Sequence, residues 1–223
     1  MPLKERNIYE SNCQIIDSNQ IPLTEVFNVE DPSNNSPTHC KCNIKFESLT
    51  TSCCAIKYSE LEYKVALLNF ASEKRPGGGY KNGAEAQEES LCRSIPYLYP
   101  SLKQCQYPIK NKVLLTRDLL IMRDRYHNLI YNSPYNVDVI TASAKSNFQN
   151  KLSLIFNVSK HCEILILGAW GCGAYKHDPY HVASLMMKAC EIYGSQYEMV
   201  VFAIPNPELR AIFLAAAASL LSN

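Results

Sequence analysis

Two apolar runs in this chain each stop at a cluster of glycines, and that pairing restricts the fold more than any other feature of the sequence. Val65-Ala66-Leu67-Leu68-Asn69-Phe70 gives way to Gly77-Gly78-Gly79, and Glu163-Ile164-Leu165-Ile166-Leu167 ends at Gly168, with Gly171 and Gly173 just beyond. Near-continuous apolar runs of this length suit strands buried on both faces, not the alternating text of a half-exposed strand. Further strands are expected over Val113 to Met122, Asn136 to Thr141 and Val200 to Ile204. Between them lie helical stretches: about Ala84 to Pro96, Lys151 to Ser159, Pro179 to Tyr193, and a terminal helix in Ala211 to Leu221. Strands alternating with helices, without repeats, predict a three-layer α/β domain around a mixed or largely parallel sheet. Residues 1–60 are polar, with turn signals at Asp31-Pro32-Ser33-Asn34-Asn35 and Ser36-Pro37. They read as an irregular N-terminal flank packed on a domain that fills residues 61–223.

Charge and cysteine usage exclude several classes of partner. The 22 basic and 21 acidic side chains leave a net charge of +1. Spread along the chain as they are, they give no footprint for duplex DNA or an anionic membrane. No direct DNA binding is expected, and Ala211 to Leu221 is too short to span a bilayer. The ten cysteines are irregularly scattered, and MPLKERNIYESN has no apolar core of a secretory signal. The chain is therefore expected in a reducing, intracellular compartment, cytoplasmic or nuclear. His39, Cys40 and Cys42 can be read as part of a zinc site or as ordinary thiols; no second pair stands at finger-like spacing.

The chemistry is expected where the two glycine segments meet, because open α/β sheets bind ligands outside the carboxyl ends of their strands. In Pro76 to Glu89 the three glycines free the backbone to approach a ligand, and the helix that follows aims unpaired N–H groups at the same place. The segment is neither a Walker loop nor a dinucleotide fingerprint. In Leu167 to Pro179 the glycines recur, Asp178 before Pro179 is a plausible helix cap, and Trp170 and Tyr175 offer flat faces that either pack on a sugar or base or fill the core. Gln87-Glu88-Glu89 is the third element. On a helix one carboxylate can face a ligand while the other orients it, and burial beside a second carboxylate raises a carboxyl pKa as a general acid requires.

The run L-N-F-A-S-x(4)-P-G-G-G-x(7)-Q-E-E-S-L from Leu68 to Leu91, followed by L-G-A-W-G-C-G-A-Y-x(2)-D-P, resembles the bacterial-type (microbial) poly(ADP-ribose) glycohydrolases of the macrodomain superfamily. The similarity runs from about Leu61 to Ile204. It implies a three-layer α/β/α macrodomain-like sandwich with a mixed central sheet, and a glycosidase that hydrolyses ribose–ribose O-glycosidic bonds at chain ends to release ADP-ribose. No metal and no cofactor are implied, since the separated acidic clusters of Mg-dependent ADP-ribosyl hydrolases are missing from the sequence. Residue by residue, the resemblance makes Glu89 the catalytic acid and Glu88 its neighbour on the ribose beside the scissile bond. Asn69 binds the terminal ribose hydroxyls, and Gln87 belongs to the substrate-binding set. Gly77, Gly78 and Gly79 cradle the diphosphate from one side, with Gly171, Cys172, Gly173 and Ala174 closing from the other. Tyr175 stands where the family usually has phenylalanine, packs against the terminal ribose, and carries a hydroxyl expected to be tolerated there.

The implied partners are poly(ADP-ribose), ADP-ribose and ADP-ribosylated proteins, met by a monomer. Two departures bear on the adenine side. The flank before Leu61 is polar where the family often has a helical extension, and Ser143-Ala144-Lys145-Ser146-Asn147 differs from the relatives' text. Asp138 either serves the adenine or caps a turn. Competing readings are a non-catalytic ADP-ribose-binding macrodomain and a macrodomain hydrolase of protein-linked mono-ADP-ribose or O-acetyl-ADP-ribose. The first needs the glycines but not Glu89.

Overall fold

A computed structural model of the chain describes residues 5–29, 42–131 and 135–221. Its frame is a seven-stranded sheet. In chain order the strands are β1 (Thr24–Asn28), β2 (Ile44–Glu47), β3 (Val65–Phe70), β4 (Lys112–Ile121), β5 (Tyr135–Ala142), β6 (Ile164–Leu167) and β7 (Met199–Ala203). Their spatial order is β1-β4-β5-β3-β6-β7-β2. The run β5-β3-β6-β7-β2 is parallel, while β4 is antiparallel to both β5 and β1, so the sheet is mixed. The apolar runs of β3 and β6 fall at the centre, where both faces are covered. β6 and β7 are buried at every position, and β3 at all but its last.

Seven helices accompany the sheet: α1 (Glu5–Ile15), α2 (Thr51–Ser59), α3 (Gln87–Ser94), α4 (Leu98–Lys103), α5 (Phe148–Val158), α6 (Pro179–Tyr193) and α7 (Pro207–Leu221). Two cores result, one on each face. Leu68, Ile140, Leu165 and Phe202 point to α5, α6 and α7, while Leu67, Val139, Ile166 and Val201 point to α2, α3 and α4, as the period-2 alternation of strand side chains requires. The three-layer α/β/α expectation is met. Helix α6 begins where the sequence places it: Asp178 accepts from the N–H groups of Tyr180 and His181, with Pro179 at the first helical position.

Residues 1–60 depart from expectation. Their described part, 5–29 and 42–60, is not irregular: β1 and β2 are the two edges of the sheet and α2 covers its second core. A helical N-terminal element, not expected from this polar text, is also present as α1. The buried Asn12 fastens it, donating to the Tyr80 hydroxyl (2.8 Å) and the Arg93 carbonyl (3.2 Å) and accepting from Arg123 Nε (2.7 Å). The turn signals at 31–37, with His39 and Cys40, lie outside the described residues. The remaining member of that cluster, Cys42, packs at the start of β2 close to Gly194.

Candidate active site

Glu88 and Glu89 open the first turn of α3, and both are buried. Neighbours on a helix diverge by about 100°, yet the two carboxylates meet over one loop. Gly77 N–H donates to Glu88 Oε1 (3.1 Å), and Gly79 N–H donates to Glu89 Oε1 (2.7 Å). The intervening Gly78 turns its N–H to the Arg75 carbonyl (3.2 Å). A Cβ at Gly78 would lie 2.3 Å from Glu89 Oε1 and 3.0 Å from Glu88 Oε2, and its φ of +55° is one that side chains resist. Glycine is thus required here for the approach of the carboxylates. All three N–H groups of Gly77, Gly78 and Gly79, expected to cradle a diphosphate, have acceptors within the protein.

The pair is held unequally. Glu88 Oε2 also accepts from Ser72 N–H (2.7 Å). Burial, followed at some remove by the charge of Glu89, pushes the Glu88 carboxyl up to about 8, against the backbone donors that favour its anion. Glu89 Oε2, by contrast, is buried and has no hydrogen-bond partner. Asn69, next to the end of β3, is fully buried and donates through Nδ2 to Thr141 Oγ1 (3.2 Å), while its Oδ1 is left without a donor. A buried carboxylate oxygen and a buried amide oxygen, both unsatisfied, are costly groups that a hydroxyl-bearing ligand can satisfy.

Gln87 does something different from what was expected. Its Oε1 accepts from Phe70 N–H (2.8 Å), and its Nε2 donates to Leu68 O (2.8 Å) and Thr51 Oγ1 (3.1 Å). With both amide hydrogens taken up, it bolts α3 to the end of β3 and has no donor left for substrate. No side chain caps α3, so its N-terminal dipole remains open to an anion beside Ala86 and Gln87.

The second glycine loop lines the opposite wall. A cavity of about 410 Å³ runs between α3, the residues after β7 and the segment Ala169 to Tyr175. Among the described residues, Gly171, Gly173, Ala174 and Tyr175 have no protein acceptor for their N–H groups. Gly171 sits at φ +88°, and a Cβ at Gly173 would meet nothing within 4 Å. Cys172 is half-buried, and burial pushes its thiol up to about 11, which leaves no thiolate for nucleophilic attack. Trp170 is core: it is fully buried, donates to the Ala142 carbonyl (3.1 Å) and stacks on Phe148 at 4.5 Å.

The Tyr175 hydroxyl, expected to be tolerated at this position, is a junction. It accepts from Glu73 N–H (3.1 Å), lies 3.1 Å from Ser143 Oγ and 3.2 Å from the Ala71 carbonyl, and so ties the second loop to the segments that follow β3 and β5. Behind it the buried Lys151 donates to the Ser143 carbonyl (2.7 Å), its pKa lowered by burial to about 8. Sequence reasoning missed Ser143, Glu73 and Lys151; the only available signal was a polar segment directly after a buried strand.

Asp138 lies away from the edge of the sheet that carries the glycine loops. It pairs with Ala66 in register, four residues before the end of β5, which puts it about 13 Å from the glycine loops' edge of the sheet. There it accepts from the N–H of Asp118 (3.0 Å), a positive-φ residue at the bulge of β4, and from His161 Nε2 (2.5 Å). These contacts match the turn-capping alternative. With Cys162 these two side chains make the one cluster of metal-ligand chemistry among the described residues, at the end of the sheet away from the glutamates.

Comparison with known proteins accords with this architecture. A family model described as microbial-type PARG, catalytic domain, matches residues 4–132, more than half of the chain. No curated protein matches at a significant level. Among solved structures, poly(ADP-ribose) glycohydrolase (PARG) from Deinococcus radiodurans in complex with ADP-ribose is 28% identical, with a TM-score of 0.70 over 88% of this chain and 95% of that one. A second structure of that complex gives 26% identity and a TM-score of 0.70 over 99% and 93%. The Thermomonospora curvata PARG shares the fold at 22% identity, with a TM-score of 0.73 over 95% and 98%. The matched segment contains the glycine loop, Gln87 and both glutamates, and the chain belongs to the microbial-type PARG catalytic-domain family.

Proposed function

We propose that this poly(ADP-ribose) glycohydrolase releases ADP-ribose from chain ends, with Glu89 as acid and then base, and with no metal in the reaction. The observation that carries this reading is Glu89 itself: one oxygen is fixed by Gly79 N–H, and the other is buried without a partner. Breaking a ribose–ribose bond develops positive charge at the anomeric carbon and negative charge on the leaving oxygen. Glu89 donates its proton to that oxygen as the bond breaks. The resulting carboxylate then takes a proton from the water that attacks the anomeric carbon, which restores the acid. Glu88, held up to about 8, keeps a proton in the pair at neutral pH and, with Asn69 Oδ1, orients the terminal ribose. The diphosphate lies between the uncapped start of α3 and the free N–H groups of Gly171, Gly173 and Ala174, with Cys172 between them and Tyr175 against the ribose.

On this reading a monomer acts on ADP-ribosylated proteins, and the net charge of +1, without a basic patch in the sequence, argues against a hold on DNA. The nine described cysteines are all unpaired thiols, in keeping with a reducing compartment, cytoplasmic or nuclear. No helix among the described residues is long and apolar enough to cross a membrane.

The test is incubation with automodified poly(ADP-ribose) and chromatography of the products. The wild type is expected to release free ADP-ribose. Glu89→Gln should lose about 10²–10⁴ in rate while keeping its affinity for ADP-ribose within a few-fold, since the amide retains the shape and lacks only the transferable proton. Turnover retained by Glu89→Gln would overturn the assignment.

A further inference from the structure

A second cleft lies on the other side of the first glycine loop. Its volume is about 240 Å³, too small for a whole dinucleotide but large enough for a base or a pyrophosphate, and its floor is Gly77 and Gly78. The Tyr99 ring is seated directly on that floor: a Cβ at Gly77 would meet its Cδ2 at 2.7 Å. Lys81 Nζ stands between two rings, 5.4 Å from the centroid of Tyr99 and 5.5 Å from that of Tyr9 on α1, and Lys103 Nζ lies 5.9 Å from Tyr99. Arg75 completes the rim. Among the described residues no carboxylate pairs with Arg75, Lys81 or Lys103. Cations without a carboxylate partner, held around a half-buried aromatic ring, recognise an anion that carries a π-system.

The position says which anion. The cavity against the second loop takes the terminal unit, and Glu89 protonates the oxygen through which the rest of the polymer departs. That oxygen belongs to the adenosine of the preceding unit, and Gly78, against which both carboxylates rest, also lines this cleft, so the cleft stands beside the place where the preceding unit must lie.

We propose that this cleft is a second subsite for the penultimate ADP-ribose unit, with the adenine seated in the cleft against Tyr99 and the diphosphate outside it, along the rim formed by Lys81 and Arg75. The inference rests on the glycohydrolase reading and gives the site a preference for polymer over single units.

The experiment measures binding, which separates it from the turnover assay that tests that reading. In the inactive Glu89→Gln background, calorimetry compares free ADP-ribose with a two-unit oligomer. The oligomer should bind about five-fold more tightly. Lys81→Met should erase that advantage while leaving ADP-ribose affinity within two-fold. Lys188→Met, an exposed lysine on α6, controls for bulk charge and should change neither value. Equal affinities for the two ligands, an advantage that survives Lys81→Met, or a loss reproduced by Lys188→Met would each overturn the subsite. A wild type that binds the oligomer in this way yet releases no ADP-ribose would instead overturn the glycohydrolase reading.

Discussion

The two glycine-rich loops look interchangeable in sequence and act in opposite ways. In the first, each N–H of Gly77, Gly78 and Gly79 has an acceptor in the protein, and two of those acceptors are the carboxylates of Glu88 and Glu89. In the second, Gly171, Gly173 and Ala174 point N–H groups at no protein atom. The first loop holds the two acids close together; the second leaves its donors unspent by the described residues, and under the proposed function they hold an anion. The space around the glycines differs too: a Cβ at Gly78 would strike the carboxylates, one at Gly171 would strike His177 and Ala144, and one at Gly173 would meet no protein atom within 4 Å.

The difference is sharpest at Gly173. Its added side chain meets no protein atom within 4 Å, and its φ is not in the left-handed region, so Gly173→Val should fold normally. It should weaken ADP-ribose binding by about tenfold or more, because a branched side chain displaces the phosphates from their donors. Calorimetry beside a melting curve checks both halves; an unchanged affinity would remove the second loop from the phosphate site.

The first loop makes its own forecast in pH. Glu88 titrates at about 8 in the fold, against an ordinary 4.5, so the folded state holds a proton that the unfolded chain has already released. Stability from that group is complete at low pH and is lost as pH rises between about 4.5 and 8. Melting temperature should therefore decline over that window, and Glu88→Gln should flatten the decline. Turnover needs the pair's proton and should fall above pH 8, to roughly a tenth at one unit beyond. A rate that stays level to pH 9.5 would separate Glu88 from the acid's supply.

Tyr175 links the two loops, and its smaller effect tests the coupling. Tyr175→Phe leaves Glu73 N–H without its acceptor, a loss of about 1 kcal/mol that should lower the melting temperature by roughly 2–4 °C. The rate should drop a few-fold as the ribose wall loosens, with ADP-ribose affinity nearly unchanged. A variant equal to wild type in both would make the hydroxyl dispensable, as the family's usual phenylalanine suggests.

What the sequence made legible follows burial. β3, β6 and β7 are covered on both faces and appear as plain apolar runs, and α6 carries its own start signal in Asp178-Pro179. The edge strands were hidden for the opposite reason. β2 reads Ile44-Lys45-Phe46-Glu47, a true period-2 alternation, but it is only four residues long and lies in polar text, as an edge strand half open to solvent can. α4 was missed because Pro96 ends one helix and a second begins two residues later.

At the site, the resemblance pointed to Glu88 and Glu89, but a glycine triplet cannot say whether its N–H groups face a phosphate or a carboxylate ten residues away. That depends on where α3 docks, which Gln87 fixes through contacts to Leu68, Phe70 and Thr51. The Tyr175 hydroxyl was unreadable for the same reason, since its partners lie 32, 102 and 104 residues away.

The central claim, that the first glycine loop serves the carboxylates and the second serves the ligand, is tested most directly at Gly78. Gly78→Ala inserts one methyl group where Glu89 Oε1 now lies at 2.3 Å, at a φ of +55°, and must displace the acid. Turnover on poly(ADP-ribose) and the Kd for free ADP-ribose should be measured on the same preparation. The account predicts a rate loss of about 100-fold or more with affinity kept within a few-fold, because a misplaced general acid affects the transition state and not the phosphates. Affinity that collapses in proportion to the rate would contradict it, and would return the diphosphate to the first loop.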